Sequence, residues 1–133
     1  MKAVMPQEIE VWYILPALRR EFSKLLINKG HTQREVAKKL YLTEAAVSQY
    51  MNGKRGRDLE FDDEMKREIS QSLENFLKTG NLVGEFQQLC RKLRESKFLC
   101  VIHRKFGIVP EECKIYQDKI LCLEDDQNAN ARI

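Results

Sequence analysis

With 133 residues, of which 43% are apolar and 32% charged, the chain has length for one domain of ordinary size or a small domain with an appendage. That balance suits a helix-rich globular protein and excludes a chain disordered throughout, while six Gly and three Pro leave little room for many tight β-turns. No run of about 18 apolar residues is available to span a membrane, and the N-terminus lacks the charged and apolar regions of a secretory signal, so a cytoplasmic protein is expected. The net charge of +3 is unevenly spread. Residues 29–57 carry Lys29, Arg34, Lys38, Lys39, Lys54, Arg55 and Arg57 against Glu35 and Glu44, a local excess of +5.

Residues 9–15, IEVWYIL, form an apolar run whose period does not separate a strand from a buried helix. Pro16 suits the first position of a helix, where its missing N–H costs nothing. Leu18, Phe22, Leu25 and Leu26 continue as a helical stripe to Lys29, and Gly30 is a stop. Thr32 and Glu35 stand at the spacing of a capping box, in which each side chain accepts from the other residue's backbone N–H. In the short helix that follows, Val36, Ala37 and Leu40 share one face and Arg34, Lys38 and Lys39 fall off it. Tyr41 and Leu42 interrupt, and Thr43 caps a second short helix, with Leu42 and Val47 spaced as a hydrophobic staple. Val47, Tyr50 and Met51 are expected to face inward, and Glu44, Ala45, Ser48 and Gln49 outward. Asn52 and Gly53 end that helix, Gly because it tolerates the left-handed conformation.

Two short helices joined by a tight turn, the second with a small, polar outer face, make a helix-turn-helix arrangement whose second helix fits the DNA major groove. Residues 32–55 resemble the helix-turn-helix of the phage-repressor and Cro superfamily, which reads T-Q-x-E-[LV]-A-x-x-[LV]…[ST]-x-x-x-[IV]-S-x-[YIW]-x-N-G-K. Thr32, Gln33, Glu35, Val36, Ala37, Leu40, Thr43, Val47, Ser48, Asn52, Gly53 and Lys54 stand where that pattern wants them, over about a fifth of the chain. One departure is Tyr41, where the superfamily usually has Gly in the turn: a Tyr there must accept a positive φ or alter the turn. The resemblance implies that Gln33 bonds a backbone phosphate, that Glu44, Ala45 and Gln49 face base edges, and that Asn52, Lys54 and Arg55 hold the DNA backbone. Arg34, Thr43, Ala46, Ser48 and Arg57 complete the expected DNA-binding set.

Beyond the basic loop KRGR, residues 62–79 read as a helix with Asp62, Asp63 and Glu64 at its positive end and Met65, Ile69, Leu73, Phe76 and Leu77 as its buried stripe, ending at Gly80. Leu82 or Val83, then Phe86, Leu89, Cys90 and Leu93, continue at helical spacing to about Ser96, and residues 98–106 form a further short helix. The expected architecture is therefore all-α: an N-terminal helix-turn-helix DNA-binding domain over 1–60, C-terminal helices over 61–123 and a flexible tail over 124–133. The later helices either supply a dimer interface or sensing module, or complete the core.

Cys90, Cys100, Cys113 and Cys122 all lie in the second half of the chain. Cys100 and His103, three apart, would share a helix face at a spacing that suits two metal ligands, with Cys90 and Cys113 flanking them. The chain here resembles a group of short archaeal regulators in which a helix-turn-helix precedes a Cys-rich tail of the form C-x-x-C…C-x-x-H…C-x-x-C, implying a zinc or iron–sulfur site. Gln87 and Tyr116 stand where two of that pattern's cysteines would be, so two ligand pairs are broken and Cys90, Cys100, His103 and Cys113 remain as a Cys₃His candidate. Cys90 also belongs to an apolar stripe, where it reads as a small buried apolar residue, His103 reads as a surface or half-buried histidine, and a disulfide is a third reading.

No Gly-rich phosphate loop, paired His at metalloprotease spacing or Ser–His–Asp grouping appears, His31 reads as a turn residue, and an enzyme is not expected. The expected function is that of a sequence-specific transcriptional regulator, which inserts residues 44–51 into the major groove of double-stranded DNA and works as a homodimer on half-sites about 34–36 Å apart. Two alternatives are an antitoxin-like or adaptor module that uses the same surface for a protein partner, and a metal- or redox-sensing regulator that uses residues 90–113. DNA binding would weaken steeply with salt, and binding to a partner helix would not.

Overall fold

The apolar run at the start of the chain is helical, and Pro16 explains the form it takes. Pro16 lacks the N–H that would bond the Trp12 carbonyl four residues back, and its ring crowds that carbonyl. A wider π-helical turn over Glu10–Ile14 lies just upstream, between α1 (Pro6–Ile9) and α2 (Leu15–Asn28). α2 thus starts one residue before Pro16, and it starts from a helix already under way rather than from coil. The computed structural model describes residues 4–96 and 98–106, which are helical or irregular with no strand. The remaining helices are α3 (Gln33–Leu40), α4 (Glu44–Met51), α5 (Asp63–Thr79), α6 (Leu82–Glu95) and α7 (Phe98–Phe106). The expected tail, Cys113 and Cys122 lie outside the described residues. No helix among the described residues is long and apolar enough to cross a membrane.

Contacts divide the described residues into two units, residues 11–89 and residues 4–10 with 90–96 and 98–106. In the first unit, the α2 stripe of Leu18, Phe22 and Leu26 is fully buried with Val36 of α3 and Val47 of α4. α5 belongs to this core, burying Ile69, Leu73 and Phe76, and Phe86 of α6 meets the Phe22 ring edge-on at a centroid distance of 5.0 Å. Completing the core is therefore a role that α5 fills. Both ends of α5 follow their local chemistry: the Asp62 carboxylate accepts the Met65 N–H at 2.8 Å, and Gly80 closes the helix at φ 74°. Leu77 departs from its expected place in the stripe and is 37% exposed, because it lies one step of about 100° round from Phe76. Of the two candidates that open the next stripe, Val83 is exposed and Leu82 is half-buried.

In the second unit, Val4, Ile9, Cys90, Leu93 and Ile102 are buried, and the Arg94 guanidinium donates to the Glu10 carboxylate at 2.9 Å. His103 is buried as well, more deeply than the surface or half-buried position expected of it, and its Nε2–H donates to the Val4 carbonyl.

Candidate nucleic-acid interface

The α3–turn–α4 segment is held by bonds between residues three apart, so its shape is written locally. The Glu35 N–H donates to the Thr32 hydroxyl at 3.1 Å and the Thr32 N–H donates to the Glu35 carboxylate at 3.2 Å, closing the capping box. The Thr32 backbone N–H, followed by the Thr32 hydroxyl, holds the Glu35 carboxyl below its ordinary range. Thr43 caps α4 by accepting the Ala46 N–H at 3.0 Å.

Between the helices, Tyr41 adopts the left-handed conformation at φ 57°, ψ 41°, and the Leu42 N–H reaches back to the Ala37 carbonyl at 2.9 Å. The turn thus keeps the geometry that a Gly would give it, at the cost of roughly 1–2 kcal/mol that a side chain incurs there. The Tyr41 ring is 79% exposed and returns little by packing. Tyr41→Gly is expected to stabilise the protein by about 1 kcal/mol, since the relieved strain exceeds the extra unfolded-state entropy of Gly. Urea unfolding checks this, and a lower midpoint for the variant would mean that the ring contributes contacts that offset its strain.

Val36, Ala37 and Leu40 of α3 and Val47 and Tyr50 of α4 are buried, which turns the opposite face of each helix outward. Gln33 and Arg34 at the start of α3 are exposed, as are Thr43, Glu44 and Ala45 at the start of α4; Ser48 and Gln49 are half-buried and Met51 likewise. Ala46 does not join the outward set: it is 6% exposed, four residues before the buried Tyr50 on the inner face, where a small side chain lets α4 approach its neighbours. Its side chain is unavailable to a base. The Arg34 guanidinium stands 3.8 Å from the Glu44 carboxylate, linking the starts of the two helices by an exposed pair worth little in stability.

Past α4, Gly53 turns the chain at φ 80° and the Lys54 and Arg55 N–H groups both donate to the Gln49 carbonyl, at 2.9 and 3.2 Å. The Asn52 side-chain oxygen accepts the Lys54 N–H at 3.2 Å, which leaves its amide NH₂ as the donor end. Lys54, Arg55 and Arg57 are exposed on this loop. Two residues absent from the sequence-based set fix the loop. Gly56, at φ 70°, lies so close to α2 that a Cβ would meet the Pro16 carbonyl oxygen at 2.6 Å. Arg20, 6% exposed, donates to the Leu59 carbonyl at 2.9 Å and pairs with Glu21 and Glu60, each at 3.2 Å. Within the run Arg19-Arg20-Glu21, nothing in the sequence sets Arg20 apart from a solvated charge.

For the Cys₃His candidate, Cys113 lies outside the described residues, Cys100 falls on α7, and His103 bonds the Val4 carbonyl. Among the described residues no group of three His, Cys, Asp or Glu stands close enough to hold a metal. The Cys90 thiol is pushed up to about 11, first by burial and then by the Glu10 carboxylate, against an opposing effect of Arg94. It is thus a protonated, unreactive thiol at neutral pH. Peptide-mapped alkylation at neutral pH is expected to label Cys90 at least tenfold more slowly in the native than in the urea-unfolded protein, and equal rates would contradict its burial.

A family model described as helix-turn-helix matches residues 23–59, just over a quarter of the chain. The matched span starts within α2, takes in α3 and α4, and ends at Leu59, the residue whose carbonyl Arg20 holds. Neither the curated proteins nor the solved structures match the chain.

Proposed function

We propose that this helix-turn-helix protein is a sequence-specific DNA-binding transcriptional regulator that places α4 in the major groove as a homodimer. The observation that carries the reading is the outward face of the two capped helices. Gln33, Arg34, Glu44, Ala45, Ser48 and Gln49 point away from the core, and exposed Lys54, Arg55 and Arg57 continue from them on an anchored loop. In this mechanism Gln33, Arg34, Thr43 and the Asn52 amide meet backbone phosphates at the two ends of the motif, and Gln49 reads adenine or Glu44 reads a cytosine amino group. Ala45 lies against a thymine methyl, and Ser48 bonds whichever base edge it meets. The loop cations set affinity and its salt dependence, and α4 sets sequence choice.

Selection of bound duplexes from a random library, followed by salt titration of the enriched sequence, tests this. A palindromic motif bound with steep salt dependence supports a dimeric reader. A folded protein that enriches nothing, or whose binding ignores salt, would place a protein partner on α4 instead.

A further inference from the structure

Beside the helix-turn-helix lies an open groove of about 450 Å³ whose chemistry the proposed contacts of α3 and α4 do not use in full. One wall comes from upstream of the family match: Trp12 in the π-helical turn, and Pro16 and Arg19 in α2. The facing wall is the loop Lys54–Asp58, with Tyr50 also contributing to the lining. Arg19, Lys54, Arg55 and Arg57 bring four cations into the groove against the single carboxylate of Asp58. Among the described residues none of these four pairs with a carboxylate, whereas the neighbouring Arg20 has two such partners. The groove on α5, lined by Asp63, Lys66, Arg67 and Glu74, balances its charges and offers no comparable field.

The basic groove is also preformed. Gly56 sits on the Pro16 carbonyl with no room for a Cβ, and Arg20 holds Leu59 from beneath, so the loop cations are presented by a fixed backbone. Like charges held together this way repel one another and are stabilised by a polyanion. Trp12, 49% exposed, adds an indole N–H donor and a flat apolar face at the rim. A phosphodiester backbone matches this combination, since it offers a row of phosphate oxygens to the cations and apolar sugar edges to the indole.

We infer that this groove holds the sugar–phosphate backbone of the duplex that α4 reads, with Arg19 and Trp12 as contact residues supplied by the chain upstream of the helix-turn-helix. The inference rests on the DNA-binding reading above. Trp12 is the sole tryptophan of the chain, so its emission reports on this groove alone. The test uses the full chain, the enriched duplex and a mixed-sequence duplex. Trp12 emission should change in step with binding of either one. Arg19→Ala should weaken both duplexes alike and reduce the slope of log K against log salt by about 0.9, the loss of one phosphate contact, while Arg19→Lys restores most of the slope. Matching melting temperatures for the variants and the parent separate this from unfolding. If the parent binds duplex but Arg19→Ala keeps the parental slope, the groove is off the DNA whatever the emission does, and the regulator reading stands. If the folded parent binds no duplex, both readings fall.

Discussion

Arg20→Ala is expected to cost about 3–5 kcal/mol of stability, the range for removing one partner of a buried ion pair. The loss has two sources. Glu21, itself only 7% exposed, is left with a buried carboxylate that has lost its neighbouring cation, and the Leu59 carbonyl loses its donor. The bond to Glu60 adds little, because that carboxylate is 68% exposed and solvated. Urea unfolding should show a lower midpoint with an unchanged slope. The double variant Arg20→Ala, Glu21→Leu should recover part of the loss, since it removes the stranded charge along with its partner. A single variant within about 0.5 kcal/mol of the parent would put Arg20 in the class of surface substitutions and remove it as the anchor of the loop. Because that loop carries Lys54, Arg55 and Arg57, the destabilised variant should also bind duplex DNA weakly even where it remains folded.

The contrast between Arg20 and Thr32 shows which parts of this protein can be read from its sequence. Thr32 and Glu35, Thr43 and Ala46, and Asp62 and Met65 are each three residues apart, so their bonds form within a single turn and the pattern of residue types announces them. The interrupted helix pair, its caps and its stop at Gly53 were legible for that reason, and so were the ends of α5. Arg20 and Leu59 are 39 residues apart, and Gly56 meets Pro16 across a comparable separation. No local period encodes which exposed-looking charge will be covered by a returning loop. Ala46 is a different case: it stands in the expected DNA-binding set, yet its spacing of four from Tyr50 puts it on the inner face, where it is buried. The run 9–15 was ambiguous in its own terms: its apolar residues are nearly continuous, and Pro16 permitted a helix start as well as the π turn that the chain adopts. Tyr41 shows a sequence rule broken without loss of the motif, since the bonds on either side of the turn hold a non-Gly residue at positive φ.

Gln49→Ala and Arg55→Ala are expected to separate sequence choice from affinity. Gln49 lies on the outer face of α4, and its backbone carbonyl, which closes the helix end by accepting the Lys54 and Arg55 N–H groups, is untouched by a side-chain change. Ala is the better helix former, so stability should hold. Preference for the enriched duplex over one changed at the contacted base pair should fall by the roughly 1–3 kcal/mol of a bidentate base contact, a factor of about 5 to 150. Non-specific binding should persist. Arg55 is exposed on the loop, and in the proposed complex its guanidinium would meet phosphates, which every sequence has. Its loss should weaken all duplexes by a similar factor, lower the salt slope by about 0.9, and leave the preference between sequences intact. Competition binding on matched duplexes at two salt concentrations measures both quantities at once. Equal losses on every duplex from both variants would mean that α4 contributes charge and shape but reads no base, and would remove Gln49 from the recognition surface.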